Sequence, residues 1–254
     1  MIPSYRVTPT IKLISDALHD AITNPDRRYI LSCPPRTGKS VLVSQIGPVF
    51  ALAANPDCQV IVKSYSDQLA KDHSREARRF IAEHTDLLGI ELATDKSSVG
   101  RWRIAGRRGG MLAGKMLSGT TGFGANLLLV DDAVRGTTDA DSAAQRRRLM
   151  AEFRGSILSR LMPGASAVIV GTRFAENDLI GELLAEPGSS WTNINVPAIS
   201  EAGIPDALGR EPGVAMVPPW DAPPRVSRRS GGPWAPGPGS RSTRASRAAP
   251  RAAS

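Results

Sequence analysis

The sequence predicts an α/β fold of three layers, a mostly parallel central sheet between helices, followed by a C-terminal tail that builds no core. Three observations predict it. Apolar runs at Tyr29–Ser32, Gln59–Ser64, Leu127–Asp132 and Ser166–Arg173 are separated by segments of helical periodicity. The Leu127–Val130 run has no apolar–polar alternation, the pattern of a strand buried on both faces. Polar residues close three of the runs, and in an open parallel sheet that C-terminal edge is where ligands bind.

The elements follow in chain order. Residues 4–24 carry Ile11, Ile14, Leu18 and Ile22 at helical spacing, and Asn24-Pro25-Asp26 stops the pattern. This segment either packs on a sheet edge or contacts an adenine. Strand Tyr29–Ser32 leads into the loop Cys33–Ser40, and a helix then runs from Ser40 to about Ala54, where Asn55-Pro56-Asp57 ends it. Gln59–Ser64 is a second buried strand. Asp67–Glu83 is a long helix with Leu69, His73, Ala77, Phe80 and Ile81 on one side. Its other side carries Lys71, Asp72, Arg75, Glu76, Arg78 and Arg79, either a solvated face or phosphate contacts.

Residues 99–117 alternate in short runs, as in a hairpin or two strands at a sheet edge. A glycine-rich turn, Ser118–Gly124, precedes the strand Leu127–Asp132. A helix over 139–161 contains Arg146-Arg147-Arg148 and an apolar set of Leu149, Phe153, Ile157 and Leu161, and Pro163-Gly164 ends it. Strand Ser166–Arg173, a helix from Glu176 to Leu184 and a last strand, Trp191–Val196, close the domain near Pro197.

The chemistry concentrates in the loop. Pro34-Pro35-Arg36-Thr37-Gly38-Lys39-Ser40 lies between a strand and a helix, the context in which backbone N–H groups and a helix N-terminus cradle phosphate oxygens. Pro35, Arg36, Thr37, Gly38, Lys39 and Ser40 are therefore the nucleotide-binding candidates. Lys39 reaches the terminal phosphates, and the Ser40 hydroxyl is a ligand for Mg²⁺. Cys33 stands where such loops usually begin with Gly. Asp131 and Asp132 at the tip of a buried strand would repel one another without a cation or hydrogen-bond donors nearby. Asp131 is the second metal candidate, and Asp132 the group that orients and deprotonates an attacking water. The implied cofactors are ATP and Mg²⁺.

Composition bounds the partners. The chain has 254 residues and a net charge of +8, with a pI near 10.1. Residues 218–254 hold seven Arg and one Asp, so only two of the eight net charges belong to residues 1–217. A body so near neutrality neither demands nor excludes DNA. Residues 218–254 include eight Pro and one large aliphatic, Val226, too little apolar surface to offset the entropy of ordering, so disorder is expected there. The run from Arg241 to Ser254 would attract nucleic acid nonspecifically. Cys33 and Cys58 give no disulfide framework, the three His have no metal-ligand spacing with them, and a reducing cytosolic setting is expected. No apolar stretch reaches the 18 residues or so of a membrane span, and the N-terminus has no signal-peptide pattern, so no membrane association is expected.

Together these motifs resemble the ATPase domain of the phage terminase large subunit, the motor that packages DNA into procapsids. Pro34–Ser40 is similar to that family's variant Walker A, and Gly119–Gly124 running into Leu127–Asp132 to its glycine-rich lead-in and Walker B. Gly171-Thr172-Arg173-Phe174 with Asp178-Leu179 and Gly181 resembles its coupling motif, in which Trp and His are usual where Phe174 and Ala175 stand. Trp191–Ala198 and Asp206–Arg210 are similar to the segment leading out of the domain, and the likeness covers about residues 4–217. It implies a P-loop NTPase fold of the ASCE, RecA-like type over residues 1–217 and ATP-driven translocation of double-stranded DNA. The implied assembly is a homo-oligomeric ring on the portal protein with the terminase small subunit, in the host cytoplasm and outside the mature virion. Arg36 would sense the terminal phosphate, Asp132 would be the base (Glu is frequent there), and Thr172 would couple hydrolysis to movement. Arg154 and Arg160 are candidates for an arginine finger acting on a neighbouring subunit.

Family members continue into a two-metal nuclease domain. The shift after about Val217 to Pro, Arg, Ala, Gly and Ser, all with GC-rich codons, leads to the expectation of a frameshift there and of no nuclease activity in this chain. Two other functions stay open: a nucleotide- or DNA-binding fragment without turnover, and another P-loop motor of helicase type, which would need a second RecA-like half.

Overall fold

In the computed structural model, residues 7–94, 98–120, 122–137 and 141–217 are described. A seven-stranded sheet forms the middle layer, in the order β3-β4-β2-β5-β6-β1-β7. Its strands are β1 (Arg28–Ser32), β2 (Gln59–Ser64), β3 (Arg101–Arg103), β4 (Gly110–Lys115), β5 (Ala125–Asp131), β6 (Leu161–Gly171) and β7 (Thr192–Asn195). Every pairing is parallel except β3 with β4, so the expected edge hairpin is present, with β4 continuing parallel along β2. The register aligns strand ends: Ser32 stands opposite Gly171, Ser64 opposite Asp131, and Asp131 opposite Val170. Four neighbouring strands thus present their C-terminal residues on one rim.

Helices cover both faces. On one, α1 (Pro9–Thr23), α2 (Gly47–Ala54) and α3 (Asp67–Glu83) bury Ile14, Leu18, Val49, Leu52, Ala77 and Ile81 against Val60, Val62, Leu129 and Val168. On the other, Leu149 and Met150 of α5 (Ala143–Glu152) and Ile180 and Leu183 of α6 (Leu179–Ala185) pack on Ile61, Leu128, Val130 and Ile169. The alternation along β5, with Leu127 and Leu129 facing one layer and Leu128 and Val130 the other, is what a strand between two helical layers requires. Thr8 caps α1 by accepting from the Ile11 N–H, and Ser66 caps α3 in the same way at Leu69. A short helix α4 (Thr85–Leu88), unmarked in the sequence, follows α3.

Several boundaries differ from expectation. The helix after the loop opens with a wide π-type stretch, Val41–Ile46, in which the Gly47 N–H reaches back to the Leu42 carbonyl. Pro48 has no N–H to give to Ser44, and its ring would crowd that carbonyl in a regular α-turn, which accounts for the widening. The helix expected over 139–161 is shorter. It begins at Ala143, widens over Phe153–Ile157 and tightens over Leu158–Arg160; residues 138–140 lie outside the described ones.

Pro163-Gly164 does not end that helix but lies inside β6, which starts at Leu161 rather than Ser166. Ala125 pairs with Leu161 and Leu127 with Ser166, so residues 162–165 bulge out of the ladder, where a proline costs no hydrogen bond. Thr172 and Arg173 lie just past β6, and Asp132 just past β5. The last helix starts three residues later than expected, at Leu179, because the Asp178 side chain accepts from the Gly181 N–H as its cap. Residues 218–254, expected as a basic tail, lie outside the described residues.

Candidate functional site

The rim at the ends of β1, β5 and β6 gathers the residues singled out in the sequence. The loop after β1 turns on two left-handed residues, Arg36 at φ 61° and Gly38 at φ 81°. Glycine takes that conformation freely, whereas arginine holds it only under constraint from its surroundings. Thr37, Gly38 and Lys39 are buried, while Pro35 and Arg36 are exposed at the loop's tip. The Cys33 sulfur lies 3.5 Å from the Thr37 hydroxyl, and burial raises the thiol's pKa.

Lys39 is only 5% exposed, and its Nζ points across the rim. It lies 3.6 Å from Asp132 Oδ2 and donates to Thr172 Oγ1 at 3.4 Å. Thr172 Oγ1 in turn donates to the Cys33 carbonyl at 3.4 Å, and the Thr172 N–H donates to Asp132 Oδ1 at 3.2 Å. Three strand ends are thereby joined through side chains. Asp132 itself has φ 46°; its N–H donates to the Val170 carbonyl and its own carbonyl accepts from the Tyr65 N–H. That clamp between the ends of β6 and β2 holds the left-handed turn. Burial raises the Asp132 pKa against the lowering influence of Lys39, and the neighbouring Asp131 raises it further. A water-sized cavity of about 20 Å³ lies beside it, bordered by Gly171, Thr172 and Asp178.

Asp131 is fully buried and faces the opposite helical layer. Its Oδ1 accepts from the Ser40 hydroxyl at 3.0 Å. Its Oδ2 is 2.9 Å from His73 Nε2, close but not aligned as a hydrogen bond, so neither atom has an aligned partner. The Ser40 hydroxyl and Asp131 carboxylate are oxygen donors, the set that fits a hard cation such as Mg²⁺. Among the described residues no group of three His, Cys, Asp or Glu side chains could hold a metal, so phosphate oxygens and water would have to complete the shell.

The coupling-like segment forms a compact turn. Arg173 Nε donates to Asp178 Oδ2 at 3.0 Å, and its Nη2 donates to the Ala175 and Glu176 carbonyls. The Phe174 N–H also donates to Asp178 Oδ2. Arg36 makes no side-chain bond within this cluster. Arg154 is paired with Glu186 of its own chain, and Arg160 precedes β6 at the rim opposite Lys39. Sequence reasoning put His73 on the apolar side of α3 but gave it no part in the site; the signal was an ionisable residue in a stripe that is otherwise small or apolar.

The arrangement is that of an α/β domain whose loop, lysine and paired carboxylates meet on one sheet rim. No protein-family model and no curated protein matches the chain. Among solved structures, the HK97 bacteriophage large terminase aligns with TM-score 0.50 and 18% identity over 79% of this chain and 41% of that one. The large terminase ATPase domain of Thermus phage P74-26 aligns with TM-score 0.41 and 14% identity, over 76% and 87%. This chain has the large-terminase fold over the span shared with the HK97 protein, and it spans about two fifths of that protein's length.

Proposed function

We propose that the chain is the ATP-hydrolysing motor domain of a phage terminase large subunit, driving double-stranded DNA into a procapsid. Its support is one cluster, Lys39 with Asp132 and Thr172 beside Ser40 with Asp131, on the ligand-binding rim of a large-terminase fold. In this proposal the loop Pro35–Ser40 binds the triphosphate, Lys39 neutralises its terminal charge, and Ser40 and Asp131 hold Mg²⁺, which supplies charge neutralisation on the phosphates. Asp132, more basic than an ordinary aspartate, accepts the proton of the attacking water. The water oxygen bonds to the terminal phosphorus as the bond to the bridging oxygen breaks, leaving ADP and phosphate.

Thr172 touches both Lys39 and the Cys33 carbonyl, so it is the residue by which loss of the terminal phosphate would reach the 173–181 turn. Arg36, exposed at the loop tip, is free to reach that phosphate. The partners belonging to the proposal are DNA, the portal protein, the terminase small subunit and further copies of the chain in a ring, in the host cytoplasm. Nuclease chemistry is no part of it.

The test is ATP turnover and nucleotide binding by the purified chain, with and without double-stranded DNA, beside Lys39→Ala. Turnover that DNA stimulates and Lys39→Ala abolishes is the expected result. Binding without turnover would favour a nucleotide-binding fragment, and no binding would end every phosphate-loop assignment.

A further inference from the structure

His73 sits on α3, outside the loop–strand machinery, yet its ring is the group facing the outer oxygen of Asp131. It is 4% exposed and Asp131 is 0% exposed. The two carboxylate oxygens are divided between partners: Oδ1 takes the Ser40 hydroxyl at 3.0 Å, and Oδ2 faces His73 Nε2 at 2.9 Å. The other ring nitrogen, Nδ1, is 3.3 Å from Gln45 Nε2. Gln45 comes from the wide stretch Val41–Ile46 that begins one residue after Ser40. A carboxylate offers only acceptors, so the ring proton that faces it sits on Nε2, and Nδ1 then has a lone pair for the Gln45 amide.

The chain Gln45–His73–Asp131–Ser40 therefore closes a loop of contacts. It starts at Gln45, just after the phosphate loop, passes through α3 and the tip of β5, and ends at Ser40, the loop's last residue. The neighbouring buried polar residue of α3, Ser74, has a purely structural use, accepting from the Trp102 indole and donating to the Val99 carbonyl. His73 instead links Gln45 to Asp131.

We propose, resting on the ATPase assignment, that His73 is a positioning residue: it holds Asp131 so that Oδ1, not Oδ2, is turned to Ser40 and the nucleotide-borne Mg²⁺. Gln45 orients the ring and ties it to the helix behind the phosphate loop. Partners behind a metal-ligating group orient it, and losing one commonly costs 10- to 100-fold in metal affinity or activity. His73 touches neither nucleotide nor reacting atoms; its effect passes through Asp131.

The experiment is a titration of a fluorescent ATP analogue on the full chain, with EDTA and across Mg²⁺ concentrations, for wild type, His73→Phe, His73→Gln and Gln45→Leu. Melting temperatures of all four are measured alongside. In His73→Phe the Mg²⁺ concentration for half-maximal enhancement of binding rises at least about 10-fold, while binding in EDTA stays within twofold. His73→Gln, which restores an N–H near the position of Nε2, recovers most of that loss. Gln45→Leu, which leaves His73 in place and perturbs the fold least, gives an intermediate shift.

Mg²⁺ midpoints within twofold of wild type in both His73→Phe and Gln45→Leu would overturn the proposal and leave the ATPase assignment standing. A loss in His73→Phe that tracks a fall in melting temperature, with no shift in Gln45→Leu and no recovery in His73→Gln, would overturn it as well. Wild-type protein that binds no ATP analogue would overturn the ATPase assignment itself.

Discussion

Asp132 concentrates the site's constraints in one residue. Its backbone is left-handed, both its peptide groups are tied to neighbouring strands, and its carboxylate lies between Lys39 and the Thr172 N–H. Asp132→Asn keeps size and turn-forming capacity but removes the basic oxygen. It is expected to retain nucleotide binding and lose at least about 100-fold in turnover, measured as phosphate release. Arg36 is the other left-handed residue of the site without a glycine's freedom. Replacing it with glycine removes that strain, so Arg36→Gly should keep folding stability within about 1 kcal/mol by denaturant titration, while ATP turnover falls. Stability and activity then move apart, as they do when strain is held for function.

At the scale of elements, the turn between β6 and α6 leaves no room for even one added methyl group. A Cβ on Gly181 would stand 1.9 Å from the Glu176 carbonyl oxygen and 2.7 Å from Arg173 Nη2. The first is rigid backbone, so Gly181→Ala has to push the 173–178 turn off α6. A loss of about 1–3 kcal/mol is expected in chemical denaturation, as for overpacking in general. The helix α3 could be read from sequence to the residue, and so could the end of α1 at its Asn24-Pro25 stop, though not its start. The helices that change pitch, 41–54 and 143–160, could not, because periodicity reports which face is apolar and not how tightly the backbone is wound. Pro163-Gly164 misled for a related reason: the same pair that stops a helix is tolerated in a bulge, and only the pairing of β5 with β6 distinguishes the two.

Across the whole molecule, two buried titratable groups outside the site give stability a pH signature. Lys63 is 1% exposed and donates to the Lys115 carbonyl and to the Ser118 carbonyl and hydroxyl; burial lowers its pKa to about 8 against the raising influence of Glu152 and Asp67. Its unfolded value is near 10.5, so between pH 8 and 10.5 the unfolded chain binds more protons and this group makes stability rise with pH. Burial raises the Cys58 thiol to about 11 from 9, and its contribution is present below pH 9 and lost between pH 9 and 11. The two therefore oppose each other above pH 9. Denaturation of wild type and Lys63→Met at pH 8 and 9 should differ in pH response by about 1 kcal/mol, the wild type gaining more. Cys58→Ala removes the opposing contribution and should leave stability rising between pH 9 and 10.5, where wild type stays nearly flat.

By itself the sequence determined the layers, the strands and the loop with its two carboxylates. Those follow from local spacing: apolar runs, caps, and a lysine–serine pair between a strand and a helix. Tertiary structure decided the division of labour within the site. Lys39 meets Asp132 and Thr172, whereas Ser40 meets Asp131, because the side chain of the last β5 residue and that of the residue after it point to opposite sheet faces. His73 joins the site for the same reason: burial brings α3 over the tip of β5, a contact between residues 58 positions apart that no local pattern encodes.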